Sequence, residues 1–136
     1  MLSNTHFSLA VHVLSALAYN QGQVLGSEML ARSMGTNPSF LRGLIGQLRD
    51  AGLVDTRLGK GGGSTLARPA DQITLLDIYR VTEVKPALTS HVCDGSSPCP
   101  VARNMEKMLD DLNGKLEKTV TTELEKTTLA DLVGTY

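Results

Sequence analysis

The sequence predicts a mostly α fold, a winged helix-turn-helix with a two-stranded wing and a long C-terminal helix. Three observations carry that expectation. Two helical segments meet at the tight turn Gly35-Thr36-Asn37, and a glycine-dense stretch further on separates two short strand-like runs. Apolar residues then recur at helical spacing from Val101 to Leu124.

A chain of 136 residues suits one compact domain with one appended element. Its hydrophobic fraction of 41% is enough to bury a core, and aromatics at 4% with no Trp make that core aliphatic. No stretch approaches the roughly 18 consecutive apolar residues of a membrane span. Residues 1–5 carry no basic residue, and no small-residue cleavage site follows. A cytoplasmic protein without a membrane partner is therefore expected. Two cysteines, Cys93 and Cys99, are too few for a secreted disulfide scaffold.

In the first helix, residues 7–18, Phe7, Ala10, Val11, Leu14, Leu17 and Ala18 recur every three or four positions. Ser3 or Asn4 can cap its start, and Gln21-Gly22 ends it. Ser27 reads as the N-cap of a short helix that Gly35 stops. Asn37-Pro38 opens the third: Asn caps it, and Pro loses nothing at the first helical position, where an amide has no partner anyway. This helix is expected to bury Phe40, Leu41, Leu44, Ile45 and Leu48 and to end at Ala51-Gly52. Its other face shows Ser39, Arg42, Gly43, Gln47, Arg49 and Asp50.

The period then changes. Residues 53–58 and 64–67 read as strands around Gly59-Lys60-Gly61-Gly62-Gly63, and Arg68-Pro69 ends the hairpin. Thr74 caps a fourth helix over residues 75–82. No clear period runs from Lys85 to Cys99, and Gly95-Ser96-Ser97-Pro98 reads as loop. Pro100 starts the long helix, roughly 37 Å if it continues to about Glu125. Thr127 or Thr128 caps a last helix at Leu129-Ala130-Asp131-Leu132-Val133. The chain thus divides into a winged helix-turn-helix over 1–84, a loop over 85–99, and 100–136 as a long helix plus a C-terminal helix packing back on the domain.

A net charge of −1 speaks against nucleic acid until its distribution is considered. Between Arg32 and Arg68, Arg32, Arg42, Arg49, Arg57, Lys60 and Arg68 oppose only Asp50 and Asp55, so this segment is +4 and the remainder −5. Positive potential is concentrated where phosphates can dock. A recognition helix needs one apolar side to fix it and a polar side to reach base edges, and residues 37–50 offer both. Arg42 and Gln47 suit base edges, while Thr36, Asn37 and Ser39 lie at the helix start, within reach of phosphate or base. Arg57 and Lys60 supply charge to a wing whose glycines permit close approach to the backbone or minor groove. The glycine run lacks the Lys-Ser/Thr ending and following helix of a nucleotide-binding loop. His6, His12 and His91 are scattered without a nucleophile, so no enzyme is expected.

Nearly the whole chain resembles the bacterial Rrf-type winged-helix regulators, which include iron–sulfur, nitric-oxide and cysteine-metabolism repressors. The resemblance lies in Phe7-Ser8-Leu9-Ala10-Val11, in Phe40-Leu41-Arg42 through Leu53-Val54, and in the Gly59–Gly63 run. It continues in Leu66-Ala67-Arg68-Pro69, in Ile73-Thr74-Leu75-Leu76-Asp77-Ile78-Tyr79-Arg80, and in the tail Thr128-Leu129-Ala130-Asp131-Leu132-Val133. It implies a homodimer joined through the long helix, double-stranded operator DNA as partner, and a signal entering at the Cys-bearing loop. The same resemblance makes 1–84 the DNA-binding domain, 85–99 the regulatory loop and 100–136 the dimerisation helix with its C-terminal helix.

Two departures refine the expectation. Cluster-holding members use three cysteines; here Cys93 and Cys99 keep the spacing, but Met105 stands third and Lys107 replaces a histidine found in one subgroup. No cofactor is expected, although His91 with the two cysteines leaves a metal site conceivable. Cys99-Pro100-Val101 matches the cluster-free subgroup, some of whose members are thought to sense oxidants through thiols. In the wing, Leu58 replaces a frequent arginine, with Arg57 one residue earlier. At the start of the long helix, Cys99 gains thiolate character from the helix dipole, which Asp94 opposes. A redox role for Cys99, with Cys93 as resolving thiol, stands beside a reading of Cys99 as a loop cysteine with no role. The resulting expectation is a DNA-binding regulator, a homodimeric repressor, against the alternative of a winged-helix protein-interaction module.

Overall fold

The computed structural model describes residues 5–82, 86–89, 91 and 96–134. Helix α1, Thr5–Tyr19, buries Ala10, Val13, Leu14 and Leu17 along one stripe. The expected caps Ser3 and Asn4 lie outside the described residues. Helix α2, Ser27–Met34, is capped by Gly26 rather than Ser27: Gly26 holds the extended conformation, and Ser27 is already helical. Gly35 closes α2 at φ 67°, in the left-handed region that glycine enters without penalty. Helix α3 runs Pro38–Asp50. The Asn37 side chain accepts from the amides of Ser39 at 2.8 Å and Phe40 at 3.3 Å, so the turn and the start of α3 are fixed together.

Leu41, Leu44, Ile45 and Leu48 anchor α3 in the core, but Phe40 does not join them. It is exposed, with its ring 5.2 Å from that of His6. At 100° per residue, Phe40 falls just outside the arc that the four aliphatics bury.

The wing pairs β1, Val54–Arg57, with β2, Gly63–Leu66, antiparallel with Val54 opposite Leu66. Both strands are shifted or shortened relative to the sequence reading: Leu53, Leu58 and Ala67 fall outside them, and Gly63 falls inside. A third backbone segment adds to the sheet at one residue. Leu25 donates to the Ser64 carbonyl at 3.1 Å and accepts from the Ser64 amide at 2.8 Å. Gly63 permits this approach, because a Cβ there would collide with the Leu25 carbonyl, and its φ is 157°.

After a short 3-10 turn at Ala70–Gln72 comes α4, Leu75–Val81, then α5, Pro100–Glu125, and α6, Leu129–Val133. Thr74 and Thr128 both form reciprocal capping boxes, with Asp77 and Asp131. The two caps also face each other across an antiparallel bridge, where Leu75 donates to Thr127 at 2.9 Å and Leu129 to Ile73 at 2.8 Å. Helix α6 is thereby stitched to the winged helix, and Leu129 is fully buried beside α1. Helix α5 is different: none of its residues is buried. Tyr79 of α4 reaches Glu117 at 2.9 Å, and Asn113 exchanges two hydrogen bonds with the Leu88 backbone, at 3.0 and 2.7 Å. Among the described residues, no helix is long and apolar enough to cross a membrane.

Candidate nucleic-acid interface

Helix α3 turns two rows of side chains outward. Arg42, Gly46 and Arg49 follow one another at four and three residues, so they share one side. Phe40, Gly43 and Gln47 form the other row by the same spacing. The first row faces the wing across a groove of about 480 Å³ that also takes in Arg57, Gly59 and the start of α2 at Ser27 and Glu28. Three guanidiniums thus meet at one groove, opposed there by one carboxylate. Arg42 donates to Ser39 Oγ at 3.2 Å, and Arg49 pairs with Asp50 at 3.3 Å. Both contacts are exposed and weak enough to exchange for phosphate or base acceptors.

The structure does not bring every expected site residue into that groove. Gln47 lines a second hollow of about 490 Å³ with Asp50, Arg68, Asp77 and Arg80. There Arg68 stands 3.9 Å from Asp77, whose same oxygen already accepts from the Thr74 amide. Asn37 is exposed and spends its side-chain oxygen on the cap. Thr36 is half-buried and donates its amide to Ala31. Ser39 is exposed beside Arg42, and Lys60 is exposed at the wing tip next to Leu58, which projects almost wholly into solvent. Arg49 is the groove arginine that lies outside the expected site. Its signal was present, since seven residues after Arg42 is two helical turns on the same face.

Cys99 sits at the N-cap of α5 and is exposed. Its side chain makes no full capping hydrogen bond, yet the Ala102 and Val101 amides favour the thiolate and hold the thiol below its ordinary pKa. Cys93 and Asp94 lie outside the described residues.

A helix-turn-helix beside a wing, with guanidiniums gathered between them, defines a DNA-binding winged-helix protein. Residues 3–135 match the Rrf2 family, described as iron-dependent transcriptional regulators, and the chain belongs to that family. It is a transcriptional regulator of DNA-binding type, not an enzyme. The HTH-type transcriptional regulator YwnA of Bacillus subtilis is 29% identical over 130 residues, 96% of either chain. T. potens IscR superposes with a TM-score of 0.73 at 27% identity, over 98% of this chain and 87% of that one. Staphylococcus aureus CymR, also solved in an oxidized form, gives 0.70 at 26% identity over 96% of each chain.

The family description raises iron, and the described residues do not fit an iron–sulfur cluster. Cys99 is the one thiol among them, and the next ligand position along α5 is Met105, a half-buried thioether. No group of three His, Cys, Asp or Glu gathers to hold a metal among the described residues.

Proposed function

We propose that the protein is a homodimeric, sequence-specific regulator that represses transcription in the cytoplasm by occupying operator DNA. The observation that carries this reading is the groove in which Arg42, Arg49 and Arg57 converge from α3 and the wing. Helix α3 enters the major groove with Arg42 at base edges and Gln47 further along, while Ser39, Thr36 and the Asn37 turn fix its start against the backbone. Arg57 and Lys60 hold the wing to phosphate or the minor groove.

Dimerisation is supported by α5, which leaves Val101, Met108 and Leu112 exposed at 64%, 54% and 44%. A second copy of α5 covers such a face and sets two α3 helices about 34 Å apart on a near-palindromic site. Cys99 gives the regulator an oxidant-sensitive point at the start of that helix, with thiolate character provided by the Ala102 and Val101 amides.

The test is operator binding across salt concentrations, combined with sedimentation and a promoter-reporter strain. A steep fall of affinity with salt, a dimer at micromolar concentration and derepression on deletion are expected. A monomer, or binding indifferent to salt, refutes the reading, and the second outcome favours a protein-interaction module. For Cys99, mild peroxide weakens operator binding by the parent but not by Cys99→Ser; equal responses refute the thiol switch.

A further inference from the structure

We infer that Phe40 is a sequence-reading residue that packs its ring against the 5-methyl group of a thymine in the major groove. The inference rests on the proposed reading that α3 enters that groove, and adds to it the class of base recognised.

Phe40 lies in the first turn of α3, where a recognition helix comes nearest to base edges. Its neighbours in the apolar pattern are at most 5% exposed, whereas Phe40 is 39% exposed. An aromatic ring left in water forgoes the stabilisation that burial would give it, unless a partner completes the contact. The ring is not loose: His6 packs against it at 5.2 Å with the planes inclined by 54°, so α1 fixes its direction. Beyond it in the same row comes Gly43, where an added Cβ would meet nothing within 4 Å. The row therefore presents a phenyl ring, a bare stretch of backbone and then the Gln47 amide.

Thymine is the base that offers an apolar group in the major groove, and a Gln amide matches the adenine N6 and N7 pattern. The row suits A·T pairs, while the guanidinium row one side over suits guanine or phosphate. Seven residues separate Phe40 from Gln47, about 10 Å along the helix, or roughly three base-pair steps.

The test selects bound duplexes from a random pool with the parent and with Phe40→Ala. The parent is expected to fix thymine at one position in each half-site, and Phe40→Ala to lose that preference alone. Replacing that thymine by deoxyuridine removes only the methyl group. It should weaken the parent about four-fold, the worth of one buried methyl, and leave Phe40→Ala unaffected. If the variant retains the thymine, or the parent ignores deoxyuridine, the inference is overturned. Should Phe40→Ala fail to fold, Phe40→Leu and the parent-only deoxyuridine comparison decide the matter. A parent that enriches no sequence at all refutes the DNA-reading proposal itself, a result distinct from loss of one thymine.

Discussion

The Tyr79 hydroxyl donates to the Glu117 carboxylate at 2.9 Å, a side-chain hydrogen bond that ties the winged helix to the long helix α5. Burial chiefly, and then the Glu117 hydrogen bond and charge, push the phenol from its ordinary 10.0 up to about 12. The folded state therefore prefers the neutral phenol. Its contribution to stability is complete below pH 10 and is lost as pH rises from there toward 12. Thermal unfolding from pH 9 to 12 should show that loss, and Tyr79→Phe should flatten it while costing about 1 kcal/mol at neutral pH. An unchanged slope in the variant would mean that another group titrates.

Gly63→Ala should destabilise the protein by about 1–3 kcal/mol, since the new methyl strikes the Leu25 carbonyl and φ is positive. Chemical denaturation measures the cost. Hydrogen exchange should speed up at the Leu25 and Ser64 amides before anywhere else in the sheet.

Gly43→Ala should act in the opposite direction on stability. Nothing lies within 4 Å of the added methyl, and alanine is favoured over glycine in a helix interior by about 1 kcal/mol. The melting temperature should rise while operator affinity falls, because on the proposed reading the methyl sits on the face offered to DNA. A gain in both would place the DNA elsewhere.

Arg49→Ala should reduce the slope of log affinity against log salt by about one if this guanidinium meets a phosphate. Its exposed pair with Asp50 contributes little to folding, so the melting temperature should stay nearly constant.

Asn113→Ala removes both hydrogen bonds to the Leu88 backbone. Protection of the Leu88 amide against exchange should drop by at least ten-fold, with α3 and the wing unaffected. If Leu88 stays protected, other contacts hold that segment to α5.

The parts of the fold legible in the sequence are those set by chemistry within a few residues. Asn37-Pro38, Thr74 with Asp77 and Pro100 each mark a helix start through groups the chain carries locally. Phe40 escapes the spacing argument because helical periodicity identifies a face but not its edge, and only about 40° of rotation from buried Leu44 separates core from solvent there. The Leu25 pairing left no trace, since a single bridging residue has no period to detect. Nor did Asn113, whose partner is 25 residues away. Of the candidate site, Arg42 and Arg57 could be named from charge and position. That Arg49 joins them, and that Gln47 lines a different hollow, depended on how far α3 rotates against the wing.

Leu129 is fully enclosed beside α1, although along the chain it comes only after the wing and the whole of α5. A chain emerging from the ribosome therefore exposes its turn, recognition helix and wing long before the side chain that completes their packing. Synthesis must pass the whole of α5 and reach α6 before the winged helix is whole, so polypeptides halted earlier lack a piece of its core. A stop placed just before α6 would therefore injure the winged helix itself, and such copies would meet the cell's proteases with that core still open.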